Sequence, residues 1–324
     1  MKNILITGAN GFVGSNLVKL LYKENYSVKA LVRKNSNTEL LPDTVKVIRI
    51  DYKDKNQLER NIAQSQVVIH IAARTRAKNW AQFKKANIDL TANLVEIVNK
   101  TKSVKQFIFI SSLAAAGPAI PGLDKKETDL CVPVSLYGKS KLEAENIVKT
   151  RCKKQITILR PVSVFGPGDT DFLSYFKMIK KHISVKIGHK RRYLSLIYVE
   201  DFVKIIEIAV LNPKFYNQTL FVANKQRFSW DNFIKAMEKA LNKKTLTITI
   251  PEMQLKVLTF INSFAAKLTS KTPLLNPDKL KEMKQEYWVV DTSCLEKITT
   301  TELELDLVEK LKITYRWYKA KGWL

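Results

Sequence analysis

Three side chains in the first half of the sequence have the types and the spacing of an acid/base site. Tyr137 and Lys141 stand four residues apart, so on a helix they share one face. A nearby ammonium group favours tyrosinate and lowers a tyrosine pKa that is about 10 without such a neighbour. The pair Ser111-Ser112 closes an apolar run and can hydrogen-bond the substrate oxygen with which the tyrosine exchanges a proton. The pattern predicts a site that passes a proton to or from that oxygen near neutral pH.

A glycine-rich turn near the start of the chain predicts a dinucleotide site. Residues 7–14 read TGANGFVG and lie between an apolar run and an amphipathic stretch. Glycines here allow a tight turn and let the backbone approach a pyrophosphate, while the N-terminus of the following helix offers unpaired N–H groups to the phosphates. The cofactor contacts expected in this turn are Gly8, Asn10, Gly11, Phe12, Val13 and Gly14.

The residues at the end of the second apolar run bear on the choice of cofactor. NAD-binding proteins usually carry an acid there, whereas this sequence has Arg33 followed by Lys34. A guanidinium suits a 2′-phosphate that a carboxylate would repel. We therefore expect NADP to be preferred and NAD to remain usable. The alternative is that Arg33 stacks on adenine and both cofactors serve equally.

Further cofactor contacts are expected where the next strands end. Asp51, beside Tyr52, is placed to accept a hydrogen bond from the adenine amine. His70 ends the fourth strand and has no carboxylate partner in the sequence, so we expect it to be packed there rather than catalytic. The backbone of Ile71, Ala72 and Ala73 is expected to pass close to the cofactor, which the small side chains of the two alanines allow.

Short β-branched runs alternate with amphipathic stretches through the first half of the chain. The strands are predicted at 4–7, 28–32, 45–50, 67–71, 107–111 and 157–159, and the helices at 13–24, 55–64, 83–101 and 137–150. Strands that are apolar throughout, separated by helices, indicate a parallel sheet covered on both faces. The predicted fold is therefore an α/β doubly wound parallel sheet of the Rossmann type.

The rhythm changes after about residue 161, where Gly166-Pro167-Gly168 signals a loop. We expect a dinucleotide-binding domain over 1–165, with a strand and helix at 194–211 returning to it. The rest of 166–324 is predicted to form a smaller, mainly helical substrate domain that ends in an aromatic stripe at 315–318. That stripe is more typical of core packing than of a ligand site.

The composition of the chain indicates which kinds of partner and compartment to expect. The chain has 324 residues and a net charge of +25, without an arginine-rich tract or a basic run that interleaves with aromatics, so a nucleic-acid partner is not expected. Cys131, Cys152 and Cys294 are far apart, which predicts free thiols, no metal site and a reducing, cytoplasmic compartment. The apolar stretch at 257–268 is too short to cross a bilayer and is expected to be a buried helix, although association with a membrane surface stays open.

With these motifs in this order, the sequence resembles the extended short-chain dehydrogenase/reductase family, also called the NAD-dependent epimerase/dehydratase family. The resemblance implies hydride transfer between nicotinamide C4 and a carbinol or carbonyl carbon. It implies Ser112 as the catalytic serine, Tyr137 as the acid/base, and Lys141 as the residue that holds the nicotinamide ribose and tunes the tyrosine. It also implies a homodimer. The further cofactor contacts that it implies are Asn87, Pro161 and Val164.

The resemblance leans toward members that act on free alcohols and ketones, namely those similar to dihydroflavonol reductases and 3β-hydroxysteroid dehydrogenases. Ser112-Leu113-Ala114 lacks the carboxylates that nucleotide-sugar dehydratases carry there, and no asparagine follows Arg160 as it does in many epimerases. The leading hypothesis is an NADP-preferring reductase or dehydrogenase of a small hydrophobic molecule. The alternatives are a nucleotide-sugar epimerase and a non-catalytic cofactor sensor. The basic region 182–192 could clamp a substrate phosphate, but a solvated loop is favoured.

Overall fold

A computed structural model describes residues 2–255 and 277–324. Strands and helices alternate through its first half, as the apolar periodicity predicts. The strands of this half are β1 (Asn3–Thr7), β2 (Ser27–Arg33), β3 (Lys46–Ile50), β4 (Val67–His70), β5 (Gln106–Ile110) and β6 (Gln155–Pro161). The α-helices between them are α1 (Phe12–Lys23), α2 (Lys55–Ile62), α3 (Trp80–Phe83), α4 (Leu90–Lys100), α5 (Leu113–Ala116) and α6 (Leu136–Arg151).

These six strands form a parallel sheet together with β10 (Gln218–Val222), in the order β10-β6-β5-β4-β1-β2-β3. The predicted Rossmann-type sheet is therefore confirmed. The strand order reverses between β1 and β4, and in such sheets ligands bind at the carboxyl ends of the strands beside that point. The glycine turn, the 70–73 segment and the Ser111-Ser112 pair all follow strands that meet at this edge.

The return of 194–211 to the dinucleotide-binding domain stays a prediction, since its helix and its strand have different partners. Helix α8 (Val199–Ala209) belongs to the same buried core as α1. The strand before it, β9 (Tyr193–Tyr198), instead pairs with β7 (Ser163–Phe165) in a separate sheet. The strand that does return is β10, which extends the main sheet next to β6.

The smaller part of the molecule is mainly helical, as predicted, and it also contains short strands. Strands β11 (Arg227–Ser229) and β13 (Tyr287–Trp288) flank β9, and β8 (Ile183–Ile187) pairs with β12 (Leu246–Ile250) in a two-stranded ribbon. The helices of this part are α7 (Leu173–Lys180), α9 (Trp230–Leu241), α10 (Pro277–Met283), α11 (Ser293–Glu296) and α12 (Leu307–Ala320).

The aromatic stripe near the end of the chain is core packing, as expected. Tyr318 is fully buried, with its ring 5.1 Å from that of Phe176, and its hydroxyl donates to the Asp169 carbonyl oxygen (2.9 Å). The apolar stretch at 257–268 lies outside the described residues. Among the helices that are described, none is both long enough and apolar enough to span a bilayer.

Candidate active site

Two glycines shape the turn between β1 and α1. Gly8 has φ of +71°, and a Cβ built on it would lie 2.6 Å from the backbone nitrogen of Ala72. A Cβ on Gly14 would lie 2.2 Å from the carbonyl oxygen of Gly8. Both positions therefore need glycine, since a side chain would push the turn away from the end of β4 or push α1 away from the turn. The turn is held against the crevice between β1 and β4.

The N-terminus of α1 opens into this crevice without a side-chain cap. Gly11 is the N-cap residue, and no side chain accepts a hydrogen bond from the first-turn amides. Phe12 and Val13 form that first turn, and their side chains pack against the main core. Unpaired N–H groups at the positive end of the helix dipole are the donor set that a pyrophosphate requires. The residues present fit a dinucleotide.

The loop after β2 borders the same crevice. The Asn10 side-chain amide donates to the Asn37 carbonyl oxygen (3.0 Å), which ties the glycine turn to this loop. Arg49 donates to the carbonyl oxygens of Lys34 (3.0 Å) and Ser36 (2.8 Å) and so fixes the path of the loop. Arg33, the last residue of β2, is exposed at its edge. A cationic group is thus available where a 2′-phosphate would be recognised, and sequence analysis missed the supporting role of Arg49.

Asp51 and Tyr52 occupy different environments. Asp51 is exposed, and its carboxylate accepts a hydrogen bond from the Lys53 amide (3.0 Å). The Tyr52 hydroxyl donates to the Leu31 carbonyl oxygen (3.0 Å) and accepts from the Gly8 amide (3.4 Å). Burial raises the pKa of Tyr52 well above its usual value. Tyr52 therefore braces the glycine turn against β2.

His70 is packed at the end of β4, as expected. Its two ring nitrogens are hydrogen-bonded to the hydroxyls of Thr7 (2.7 Å) and Thr91 (3.0 Å). Burial, assisted by the charge of Lys141, lowers the pKa of His70 to about 3. The imidazole is neutral at physiological pH and links β1, β4 and α4. The backbone of 71–73 continues from it past the glycine turn, with the Ala72 amide 3.4 Å from the Thr7 hydroxyl.

Asn87 lies on a π-helical segment (Lys84–Asp89) and is buried. Its side-chain oxygen accepts from the Arg74 amide (2.7 Å), and its side-chain nitrogen donates to the Arg74 carbonyl oxygen (3.0 Å) and the Ser140 hydroxyl (2.8 Å). Both donors are thus used within the chain. Asn87 fastens the loop after β4 to α6 and so positions the backbone that borders the cofactor crevice.

The structure brings Ser112 and Tyr137 together, although 25 residues separate them in sequence. The Ser112 side chain lies close enough to the Tyr137 phenol to affect its pKa, and it caps α5 by accepting from the Ala114 amide (3.1 Å). Gly138 allows the two helices to approach, because a Cβ there would lie 2.2 Å from the Ala114 carbonyl oxygen. Burial raises the pKa of Tyr137 above its usual value, and the nearby Ser112 hydroxyl opposes that rise.

Lys141 lies one turn further along α6 and is 1% exposed. Its ammonium donates to the Ile110 carbonyl oxygen (2.7 Å) and lies 4.1 Å from the centre of the Phe109 ring. Burial lowers the pKa of Lys141 to about 7, against the opposing charge of Glu145. In the chain by itself burial dominates the pKa of Tyr137 and the phenol is protonated at neutral pH, so the lowering of that pKa by Lys141 stays a prediction.

A buried ionic network next to Lys141 was not anticipated. Glu145, one turn after Lys141 on α6, is fully buried and accepts from Ser111 and from two nitrogens of Arg160 (2.9 and 2.6 Å). Arg160 also donates to the Cys131 thiol (3.2 Å). The network joins the end of β5, β6 and α6 next to the candidate catalytic residues. The four-residue spacing from Lys141 to Glu145 was the available signal.

Helix α10 covers a shallow cavity in front of Tyr137. The Asp278 carboxylate accepts from the amides of Leu136 (2.6 Å) and Tyr137 (3.2 Å) at the start of α6, and Ser135 donates to Glu282 (2.7 Å). The residues that line the cavity are Thr75, Arg76, Phe83, Tyr137, Asp278, Lys279 and Glu282. Pro161 and Val164 lie further along, in β6 and β7, where they are buried and half-buried.

Together these residues provide a protonated phenol close to a hydroxyl at a cavity and, at the carboxyl edge of the same sheet, a helix N-terminus suited to a dinucleotide phosphate. The arrangement can deliver a proton to an oxygen atom of a substrate while a bound dinucleotide supplies a hydride. A hydride-transfer enzyme needs both groups in one crevice.

Comparison with known proteins shows the family to which the chain belongs. A profile of the NAD dependent epimerase/dehydratase family matches residues 4–221. A UDP-glucose 4-epimerase of Vibrio cholerae is 31% identical over 77% of this chain and 79% of its own length, and a ceramide reductase of Caulobacter vibrioides is 23% identical over 99% and 96%. UDP-glucuronic acid 4-epimerase from Bacillus cereus, solved in complex with NAD, superposes with a TM-score of 0.78 at 21% identity, covering 98% of this chain and 99% of that one. The chain belongs to the NAD dependent epimerase/dehydratase family and is an enzyme of the extended short-chain dehydrogenase/reductase type.

Proposed function

We propose that the protein is an NADP-preferring reductase that converts a ketone to a secondary alcohol, with Ser112, Tyr137 and Lys141 as its catalytic residues. The observation that carries the proposal is a protonated Tyr137 that lines the cavity and has the Ser112 hydroxyl close to its phenol. A neutral phenol is a proton donor, which suits the reduction of a carbonyl group.

The proposed chemistry divides between cofactor and chain. When bound, the dinucleotide supplies a hydride to the carbonyl carbon. The negative charge that develops on the carbonyl oxygen is met by the Ser112 hydroxyl, which donates a hydrogen bond, and by the Tyr137 phenol, which gives up its proton. The Lys141 ammonium, one turn away, stabilises the tyrosinate that remains.

Coverage by relatives supports a reductase of an apolar substrate. The ceramide reductase matches nearly all of this chain, including the smaller part that would contact substrate, whereas the UDP-glucose 4-epimerase matches 77% of it. By its name the first of these reduces a lipid. The absence of carboxylates in Ser112-Leu113-Ala114 also disfavours sugar dehydration.

A nucleotide-sugar epimerase is the second candidate, favoured by the 31% identity to the Vibrio cholerae enzyme. The two candidates differ in their use of the cofactor. A reductase consumes one reduced dinucleotide per turnover, whereas an epimerase oxidises and re-reduces the same sugar carbon with no net consumption. Monitoring NADPH absorbance with a panel of ketones and, in parallel, the interconversion of UDP-sugars separates them.

The key variant is Tyr137→Phe, which keeps the ring and removes the proton. We expect it to lower kcat by a factor of about 10²–10⁴ with the Tm retained. Tyr22→Phe, at a half-exposed tyrosine on α1, is the matched control and should leave kcat unchanged. Unaltered turnover in Tyr137→Phe would remove the proposal and favour a cofactor sensor.

The NADP preference is tested separately at Arg33. Replacing Arg33 with Ala should weaken kcat/KM for NADPH by roughly tenfold and leave that for NADH nearly unchanged, because the guanidinium is proposed to contact only the 2′-phosphate. Equal losses with both cofactors would instead indicate stacking on adenine. The homodimer stays a prediction, to be measured by light scattering of the purified protein.

A further inference from the structure

The β8–β12 ribbon presents an apolar face on the outside of the smaller part of the molecule. The strands pair in parallel, and directly paired residues point to the same side. One side therefore carries only Ile, Val and Leu. The three pairs that form this outer face are Ile183 with Leu246, Val185 with Ile248, and Ile187 with Ile250.

On the opposite side of the ribbon β8 faces the protein, whereas Thr247 and Thr249 of β12 are exposed. Ser184 is 1% exposed, and its hydroxyl hydrogen-bonds those of Thr247 (3.0 Å) and Thr245 (3.0 Å). Thr245 in turn donates to Glu238 on α9 (2.6 Å). On the outer face, Leu246 is 73% exposed and Ile248 is 44% exposed, and the other four aliphatic side chains are partly exposed beside them. Adjoining apolar side chains exposed in this way are typical of an interaction site.

Cationic residues gather at one end of this outer face. Lys180 and Lys181 precede β8, and Lys243 and Lys244 precede β12, so the parallel pairing brings all four to the same end of the ribbon. None of the four forms an ion pair within residues 2–255 and 277–324. The segment 172–199, which contains β8, holds seven lysines and arginines and no acidic residue.

Acidic residues outside the basic region 182–192 partly neutralise its positive charge. Lys186 pairs with Asp231, Lys190 with Glu286, and Arg192 with Glu252, so these cations serve the fold rather than a substrate phosphate. The lysine cluster, formed by residues 180, 181, 243 and 244, therefore carries positive charge that is not neutralised by ion pairs with the described residues.

We propose that the outer face of the ribbon docks on the surface of an anionic phospholipid bilayer. The aliphatic side chains would enter the boundary between headgroups and acyl chains, while the lysine cluster meets the phosphates. A second copy of this chain is a poorer occupant, because two chains that each carry a net charge of +25 repel one another. The net charge of +25 also favours binding to an anionic surface.

The test is flotation of the purified protein with vesicles of phosphatidylcholine alone or containing 30% phosphatidylglycerol. We expect binding only to the anionic vesicles, weakened at least tenfold by 0.5 M salt. The double variant Leu246→Asp and Ile248→Asp should lose at least tenfold in binding with an unchanged Tm, since both side chains are exposed. Lys243→Glu with Lys244→Glu should weaken binding similarly.

Leu130→Asp is the matched control, because Leu130 is 81% exposed on a loop outside the ribbon. It should bind vesicles as the unmodified protein does. Equal binding by the Leu246→Asp/Ile248→Asp variant would overturn the proposal. The proposal would also be overturned if the unmodified protein formed a dimer that this variant dissociates and neither protein bound vesicles. That result would identify a second copy of the chain as the occupant of the face. Turnover of a water-soluble ketone reports on the proposed reductase independently of either result.

Discussion

Lys141 is expected to destabilise the folded protein, and its replacement by Met should show this as a function of pH. Burial lowers the pKa of Lys141 from 10.5 to about 7. Below pH 7 the folded protein carries a buried ammonium that the unfolded chain holds in water, so the destabilisation is fully present there. It is lost progressively as pH rises from 7 to 10.5, where the unfolded chain binds the proton and the folded protein does not.

A fall in the pKa of Lys141 from 10.5 to about 7 corresponds to a destabilisation of the folded protein of about 5 kcal/mol at low pH and about 2 kcal/mol at pH 9. Met fills a similar volume but leaves the Ile110 carbonyl oxygen without its donor, which costs about 2 kcal/mol. The net expectation for Lys141→Met is a gain in the free energy of unfolding of about 3 kcal/mol at pH 6 that vanishes near pH 9.

Guanidinium unfolding monitored by tryptophan fluorescence, at pH 6, 7, 8 and 9, measures this difference directly. The control is Lys139→Met on the same helix, where the lysine is exposed and lies 5.1 Å from the centre of the Trp80 ring. Its effect should be below about 1 kcal/mol and flat with pH. A Lys141→Met effect that does not change between pH 6 and 9 would show that the folded lysine titrates normally and would refute the reasoning.

Three further changes test the supporting structure. Gly14→Ala places a methyl group about 2.2 Å from a backbone oxygen and should weaken cofactor binding more than tenfold by calorimetry. Glu145→Gln leaves the Arg160 charge buried without its counterion, so denaturant unfolding should show a loss of about 3–5 kcal/mol, against less than about 0.5 for the partly exposed Glu143→Gln. Asp278→Ala removes acceptors at the start of α6 and should cost about 1 kcal/mol.

The local motifs could be predicted because their chemistry depends on near neighbours in sequence. Gly8 and Gly14 flank a strand-to-helix turn, and Tyr137 and Lys141 share a helix face, so composition and spacing alone indicated a dinucleotide crevice and an acid/base site. The alternation of apolar runs and helices likewise predicted the parallel sheet, since each strand must be buried on both faces.

The contacts that set the environment of the site come from residues distant in sequence. Asp278 meets the backbone of Leu136 across 142 positions, and no local pattern marks it. Asn87 on the π-helical segment fastens Arg74 to α6 through its side-chain amide, and its contact with the cofactor stays a prediction.

Spacing predicted the acid/base candidates of this protein, and only the tertiary structure decided their ionisation. Tyr137 and Lys141 lie one helical turn apart whatever surrounds them. Their pKa values depend on how much water the packing removes, and here burial raises that of the tyrosine and lowers that of the lysine. Desolvation is a property of the whole assembled core, so it becomes defined only when β5, α6 and α10 have come together.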